Sequence, residues 1–341
     1  MRCSLRLSLR LVSLCIGITL LAAPGARAGE LVQKTLSDFV GGEWRINGAW
    51  KDGAPIQGRE VFEWGVGKQF IICKTFLATP KGEYQRYETI FGEQDGKLMA
   101  WGFTYDGHMD ATEFNVDQKK MSSRKPMPGA QDGQILLQSV EMVEPNKFQW
   151  KVATEKDGQV KELMDGMWIR SREASAEKLP IVWPKNPPSE DDKLLDSVKS
   201  WLGTWSIKAK WSDGNALQAR KTLDWGVGKE FIACKTTILK PDGSVDYDRY
   251  YTLYGVHDGN LMAYTFAFDG TTDFQPQTID GKRLGGVRAF KHAGAPETRV
   301  SQFQELVDDD HLHWKVWNDA DGPDKPMMDG TWTRDAAGAA K

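Results

Sequence analysis

The feature that most constrains this chain is a phrase it contains twice. Residues 63–75 read EWGVGKQFIICKT and residues 224–236 read DWGVGKEFIACKT, differing at three positions. Sliding the sequence along itself by 161 residues also superposes Gly42-Glu43-Trp44 on Gly203-Thr204-Trp205, Trp50 on Trp211, and Trp64 on Trp225. At a shift of 163, YQRYETIFGEQDGKLMAWGFTYDG from position 84 meets YDRYYTLYGVHDGNLMAYTFAFDG from position 247. At 164, FQWKV meets LHWKV and MDGMWIR meets MDGTWTR. A drift of three residues is what short loop insertions leave in a duplicated domain. The unit is about 135 residues, domain-sized and far longer than a solenoid or propeller repeat. Two domains in tandem are therefore expected, over 29–172 and 192–335. The Pro-rich stretch 173–191 joins them as a semi-rigid tether, and 336–341 is a frayed tail.

Within each unit the apolar residues recur with period two. In KLMAWGFTY, Met99, Trp101, Phe103 and Tyr105 share one crowded face, while Leu98, Ala100, Gly102 and Thr104 share a slim one. Met262, Tyr264, Phe266 and Phe268 repeat the crowded face in the second unit. Turn signals such as Lys51-Asp52-Gly53, Asp95-Gly96 and Asp157-Gly158 punctuate the runs, giving about nine or ten strands per unit. Only 31–40 and 192–201, just before each Gly-x-Trp, look helical. A sheet of that size removes its edges by closing into a barrel or folding into a sandwich. Trp and Tyr at matching sites on many strands favour the barrel, with the rings lining its interior. The predicted fold class is all-β: two tandem antiparallel barrels, each preceded by a short helix.

The first 28 residues place arginines ahead of an apolar run and end in Ala26-Arg27-Ala28, the pattern of a cleaved export signal. The apolar run from Leu11 to Ala23 is too short to span a bilayer, and no later segment is apolar enough to do so. An exported, soluble chain from Gly29 onward, periplasmic or extracellular, is expected. Removing Arg2, Arg6, Arg10 and Arg27 without any acid takes the formal net charge from −3 to −7. With no Lys/Arg cluster, nucleic acid is an unsuitable partner. The remaining cysteines, Cys73 and Cys234, occupy the same place in the two copies. Two separate buried thiols are expected; a bridge between them would require the copies to face each other across a symmetric contact.

Gly42-x-Trp44 near the start of the first unit and Trp168-x-Arg170 at its end resemble the calycin pattern of lipocalins and fatty-acid-binding proteins. The second unit repeats it as Gly203-x-Trp205 and Trp332-x-Arg334. More closely, the whole mature chain resembles a pair of domains from an exported bacterial family of unknown function with a lipocalin-like barrel. The resemblance implies a barrel floor on which Arg170 stacks over Trp44 and Arg334 over Trp205, a structural role.

A ligand-holding barrel needs few, inward polar handles. Candidates present in both copies are Lys74 and Lys235, Arg86 and Arg249, and Thr89 and Thr252, with Trp64 and Trp225, Trp101 and Tyr264, and Trp150 and Trp314 as apolar wall. Lys74 alternates with Phe70, Ile72 and Phe76, so it either meets a carboxylate head on an apolar face or runs along its stem to water. The histidines, at 108, 257, 292, 311 and 313, do not recur between the copies, which disfavours a shared haem or metal site. His311 and His313 beside aspartates 308–310 read as a solvated hairpin, and Asn318–Gly322 as a turn lacking the bidentate Glu of a calcium loop. No cofactor is expected, and no nucleophile elbow or phosphate-cradling loop is present. The favoured function is binding of a small hydrophobic or amphipathic molecule, a lipid or acyl acid, inside one or both barrels. An envelope scaffold with packed barrels is the second reading, and an enzyme using Lys74 or Arg86 the third.

Overall fold

The two halves each begin with a short amphipathic helix that packs against its own sheet. The computed structural model describes residues 29–127, 130, 133–171, 179–183, 191–290 and 298–336. The N-terminal segment 1–28, most of the linker, His292 and the end of the tail lie outside the described residues. Helix α1 (Glu30–Leu36) buries Val32 and Leu36, one turn apart on one face, and a 3-10 turn then inserts Phe39. Helix α2 (Asp191–Lys199) buries Leu195 and Val198.

The first sheet comprises β1 (Glu43–Trp50), β2 (Pro55–Trp64), β3 (Ile71–Thr79), β4 (Gly82–Gln94), β5 (Lys97–Thr104), β6 (Met109–Asp117), β7 (Lys120–Pro126), β8 (Ile135–Glu144), β9 (Lys147–Lys156) and β10 (Gln159–Ser171). It is a closed antiparallel barrel in which β10 returns to β1, Trp44 lying opposite Arg170. Tight turns give the meander its register: between β4 and β5, Asp95 and Gly96 both take positive φ, 52° and 75°, as a two-residue hairpin turn demands.

The second sheet comprises β11 (Gly203–Lys210), β12 (Ala216–Trp225), β13 (Phe231–Leu239), β14 (Val245–His257), β15 (Asn260–Ala267), β16 (Thr272–Pro276), β17 (Thr278–Asp280), β18 (Arg283–Phe290), β19 (Thr298–Asp308), β20 (His311–Asn318) and β21 (Met328–Arg334). It runs in the same order, from β16 through β11 and β21 to β17, and is nearly closed. Its seam lies between β16 and the β17–β18 hairpin. The corresponding place in the first barrel is also weakly laddered: β6 and β7 pair only from Asn115 to Asp117 against Lys120 to Ser122.

Each barrel encloses its own apolar core, and a third core lies between them. Val66, Phe70, Ile72, Ile90, Trp101 and Phe103 of the first half pack against their counterparts Val227, Phe231, Leu253, Tyr264 and Phe266 of the second. The contact is reciprocal: Phe103 meets Phe231 at 5.4 Å between ring centroids, and Phe266 meets Phe70 at 5.4 Å. Such self-complementary pairing is the signature of a two-fold, isologous interface, here within one chain. The duplicated Gly-Val-Gly-Lys turns form its rim. A Cβ on Gly67 would lie 1.9 Å from the carbonyl oxygen of Phe268, and one on Gly228 would lie 2.0 Å from that of Tyr105. The repeated phrase is therefore an interface written once per barrel.

This corrects the expected direction of the crowded strand faces. Trp101, Phe103, Tyr264 and Phe266 point out of their barrels into the shared interface, while the slim face, Leu98 and Ala100 or Leu261 and Ala263, points into the lumen. The two copies do face each other, yet Cys73 and Cys234 are free, buried thiols turned into their own barrel cores.

Candidate functional site

One mouth of each barrel is sealed. The Arg170 guanidinium lies 4.3 Å over the Trp44 ring and donates to the carbonyl oxygen of Asp38, while the Trp44 indole N–H donates to Phe39 O at 2.8 Å. In the second barrel Arg334 lies 4.0 Å over Trp205 and donates to Ser200 O at 2.9 Å and Asp309 O at 2.6 Å. The Trp205 indole donates to Trp201 O at 2.7 Å. Each guanidinium thus satisfies a carbonyl left open at the end of the preceding helical segment, Arg334 one on a facing hairpin as well, and its cation stacks on an aromatic face. Phe39, Phe62, Phe148 and Trp168 complete the first floor, with ring centroids 5.1 to 6.4 Å apart.

Above the floor, strand alternation turns polar side chains inward. On β2, Glu60 shares the inner face with Phe62 and Trp64; it is 5% exposed and accepts a hydrogen bond from Thr75 at 3.0 Å. Burial pushes its carboxyl up from 4.5 to about 7, with Thr75 and then the nearby Trp168 indole opposing the rise. The indole N–H itself falls short of hydrogen-bond geometry with any partner among the described residues. The equivalent position in the second barrel is Lys221, 4% exposed, which shares the inner face of β12 with the core residues Ala219 and Leu223. The Lys221 ammonium lies 4.8 Å from the Trp332 ring and 5.6 Å from Trp201, and it donates to Gln304 Oε1. Burial pulls its pKa down from 10.5 to about 8.

Farther from the floor, both lumens carry the same polar row at the seam. In the first barrel Lys125 of β7 reaches across to Asp110 and Thr112 of β6, meeting the Thr112 hydroxyl at 2.8 Å. In the second, Arg288 of β18 meets Asp273 of β16 at 2.8 Å, and the Gln275 amide donates to the same carboxylate at 3.2 Å. A shift of 163 maps Asp110, Thr112 and Lys125 onto Asp273, Gln275 and Arg288. Where the backbone ladder is thin, an ion pair inherited by both copies closes the wall. Several buried polar atoms on these inner faces lack a partner among the described residues: Ser123 Oγ, Trp150 Nε1 and Gln275 Oε1. Buried polar groups are nearly always hydrogen-bonded, so such atoms mark places suited to a polar guest.

The sequence-derived candidates divide into three groups. Trp64 and Trp150 pack on the first core, Trp225 and Trp314 on the second, and Trp314 donates to Gln302 at 3.3 Å. Thr89 shares the inner face with Cys73, and the hydroxyls of Thr252 and Thr265 meet at 3.0 Å. Trp101 and Tyr264 belong to the interface between barrels and not to either lumen, because the second barrel covers that face. Lys74 and Lys235 are on outer faces, paired with Glu63 at 2.7 Å and Asp248 at 2.8 Å. Arg86 donates to the hydroxyls of Tyr84 and Tyr87 at 3.2 and 3.0 Å, and Arg249 lies 5.2 Å from the Tyr250 ring. Glu60 and Lys221 escaped sequence reasoning because it sought polar residues identical in both copies. The signal was the shift of 161 itself, which sets one on the other in strands whose inward neighbours are apolar.

His311 and His313 pair with Asp308 at 2.8 Å and Asp329 at 2.7 Å on the surface. Among the described residues no group of three His, Cys, Asp or Glu side chains could hold a metal ion. An open groove of about 420 Å³ lies at the rim of the second barrel opposite its floor, touching Ala209, Leu217 and Leu239. Another, of about 390 Å³, lies where Val182 and Trp183 of the linker cross Tyr84 and Tyr105. Among the described residues no helix is long and apolar enough to cross a membrane.

These features define an all-β protein of two antiparallel barrels joined through a pseudo-two-fold interface. No family model matches the sequence, and neither does any curated protein. Among solved structures, the chain is similar to a protein of unknown function of the DUF3598 family from Nostoc punctiforme. The identity is 11% over 89% of this chain and 98% of that one, with a TM-score of 0.23. It is also similar to a redesigned β-barrel, at 13% identity over 41% of this chain and 96% of that one, with a TM-score of 0.23. A double mutant of the vaccine antigen transferrin binding protein B from Haemophilus parasuis matches at 11% identity over 86% of this chain and 74% of that one, with a TM-score of 0.17. Likenesses this remote assign no function to the chain.

Proposed function

We propose that this is an exported binding protein whose barrels each hold a small amphipathic molecule, its apolar body against the apolar lumen wall and its polar end on an inward-facing polar side chain. The observation that carries the reading is the duplicated lumen: an aromatic floor below, and above it buried polar side chains that include atoms with no hydrogen-bond partner among the described residues. A core evolved only for packing gains nothing from unpaired polar groups, each of which is costly to bury. Small-molecule sites are mostly apolar with a few placed polar groups, which is the composition of these lumen-facing side chains. Export rests on the sequence of residues 1–28, with cleavage after Ala28.

The test is organic extraction of the natively purified mature protein followed by mass spectrometry, with titration by environment-sensitive dyes. Recovery of an amphipathic small molecule, or saturable dye binding displaced by one, is the expected result. Barrels that yield nothing and also refuse fatty acids and dyes would overturn the proposal.

A further inference from the structure

Several lumen residues near the floor are the same in the two barrels, and at one position beside them the charge is reversed. Trp44 and Trp205, Cys73 and Cys234, Thr75 and Thr236, and Trp168 and Trp332 correspond in the two barrels. Opposite Trp44 on the neighbouring strand stands Glu60; opposite Trp205 stands Lys221. Both side chains are buried and both face inward.

We propose that Lys221 is the head-group site of the second barrel and takes the carboxylate of an amphipathic acid, while the first barrel, with Glu60 in that place, does not. The inference rests on the lumen reading above. Lys221 has no carboxylate within ion-pair distance among the described residues; its contacts are the Gln304 amide oxygen and the faces of Trp201 and Trp332. An ammonium carries three donors, and the Gln304 contact uses one. Removing a charge from water without an ion-pair partner is unfavourable, and a carboxylate brought in by a ligand supplies both the opposite charge and acceptors for the remaining donors. The two indoles give the first carbons of the ligand an apolar wall. The depressed pKa of Lys221 agrees with a buried ammonium that lacks its counter-ion.

In the first barrel the same approach meets Glu60, whose Oε1 already accepts from Thr75. A carboxylate there would face a like charge, or another acid group. That site instead suits a neutral or hydrogen-donating head. The duplicated barrels have thus diverged in the class of molecule they accept.

The experiment uses the full mature chain and two fluorescent probes, a dansyl-labelled long-chain fatty acid and its methyl ester. The acid is expected to bind tighter than the ester by on the order of tenfold or more, the weight of a hydrogen-bonded charge. Lys221→Met should lower the acid to the affinity of the ester and leave the ester unchanged. Lys221→Arg, which keeps the charge, should retain most of the preference, and thermal melting of both variants confirms that they fold. Equal affinity of wild type for acid and ester, or a preference for the acid that survives in Lys221→Met, would overturn this inference while leaving the lumen reading intact. Failure of both probes to bind at all would overturn the lumen reading together with it.

Discussion

At the scale of single residues, the inward acid and the inward amine couple stability to pH with opposite signs. Glu60 titrates near 7 when folded, against an ordinary 4.5. Between those values the folded state keeps a proton that the unfolded chain has released, so stability falls as pH rises across the window and stays lower above it. The span corresponds to about 3 kcal/mol for a fully buried group. Lys221, at about 8 against 10.5, behaves in reverse: between those values the unfolded chain holds the extra proton, and stability rises with pH. Glu60→Gln, uncharged throughout and still able to accept from Thr75, should flatten the first trend. Denaturant unfolding at about pH 5 and about pH 8 checks it: the wild type should lose up to about 3 kcal/mol more than the variant between the two. Parallel losses would show that Glu60 is not the titrating group.

At the scale of elements, the weakest joint in each barrel is the seam. Strand β16 is laddered to β15 on one side, and its other side is held to β18 through the Arg288–Asp273 ion pair. Amides at such an edge open locally at little cost. Hydrogen exchange followed by mass spectrometry should find β16 and β17 the fastest-exchanging strands of the second barrel, and Asp273→Asn should quicken them further. Protection equal to that of β12 and β13 would mean the seam is closed by something stronger. The same scale shows what the sequence could disclose. Period two placed Trp101 with Phe103 and Leu98 with Ala100, and turn residues such as Asp95-Gly96 located the hairpins, so strands and duplication were legible. Alternation says which residues share a face and is silent on which face turns inward. Trp101 and Tyr264 read as lumen wall because an exposed aromatic row is costly, and a second barrel covering that row leaves no mark in local periodicity. The Arg288–Asp273 pair was illegible for a related reason: it joins β18 to β16, which share no backbone ladder and become neighbours only when the sheet curls round.

At the scale of the whole molecule, the two barrels form one body because a face repeated by duplication is complementary to itself. Its core carries Phe103 on Phe231 and Phe266 on Phe70, and the Tyr251 hydroxyl donates across it to the buried Glu88 carboxylate. Aromatic pairs and a desolvated hydrogen bond at the centre of a contact are what hold interfaces together without a tether. A protease site introduced among residues 172–178 therefore should yield, after cleavage, a nicked protein that still elutes from a sizing column as a single species. The duplicated turns supply the contrasting variant. Gly228→Ala would drive a Cβ to 2.0 Å from the Tyr105 carbonyl oxygen, a backbone atom that can yield only if the barrels move apart. Gly228 has φ +67°, so alanine also adds backbone strain unrelated to the contact. Gly214→Ala separates the two effects: its φ is +89°, yet a Cβ there meets nothing within 4 Å. After cleavage, Gly228→Ala should release two half-size species and Gly214→Ala should not. If both variants stay together, the turns do not set the approach of the barrels; if the unmutated nicked chain falls apart, the tether and not the shared aromatic face joins the halves.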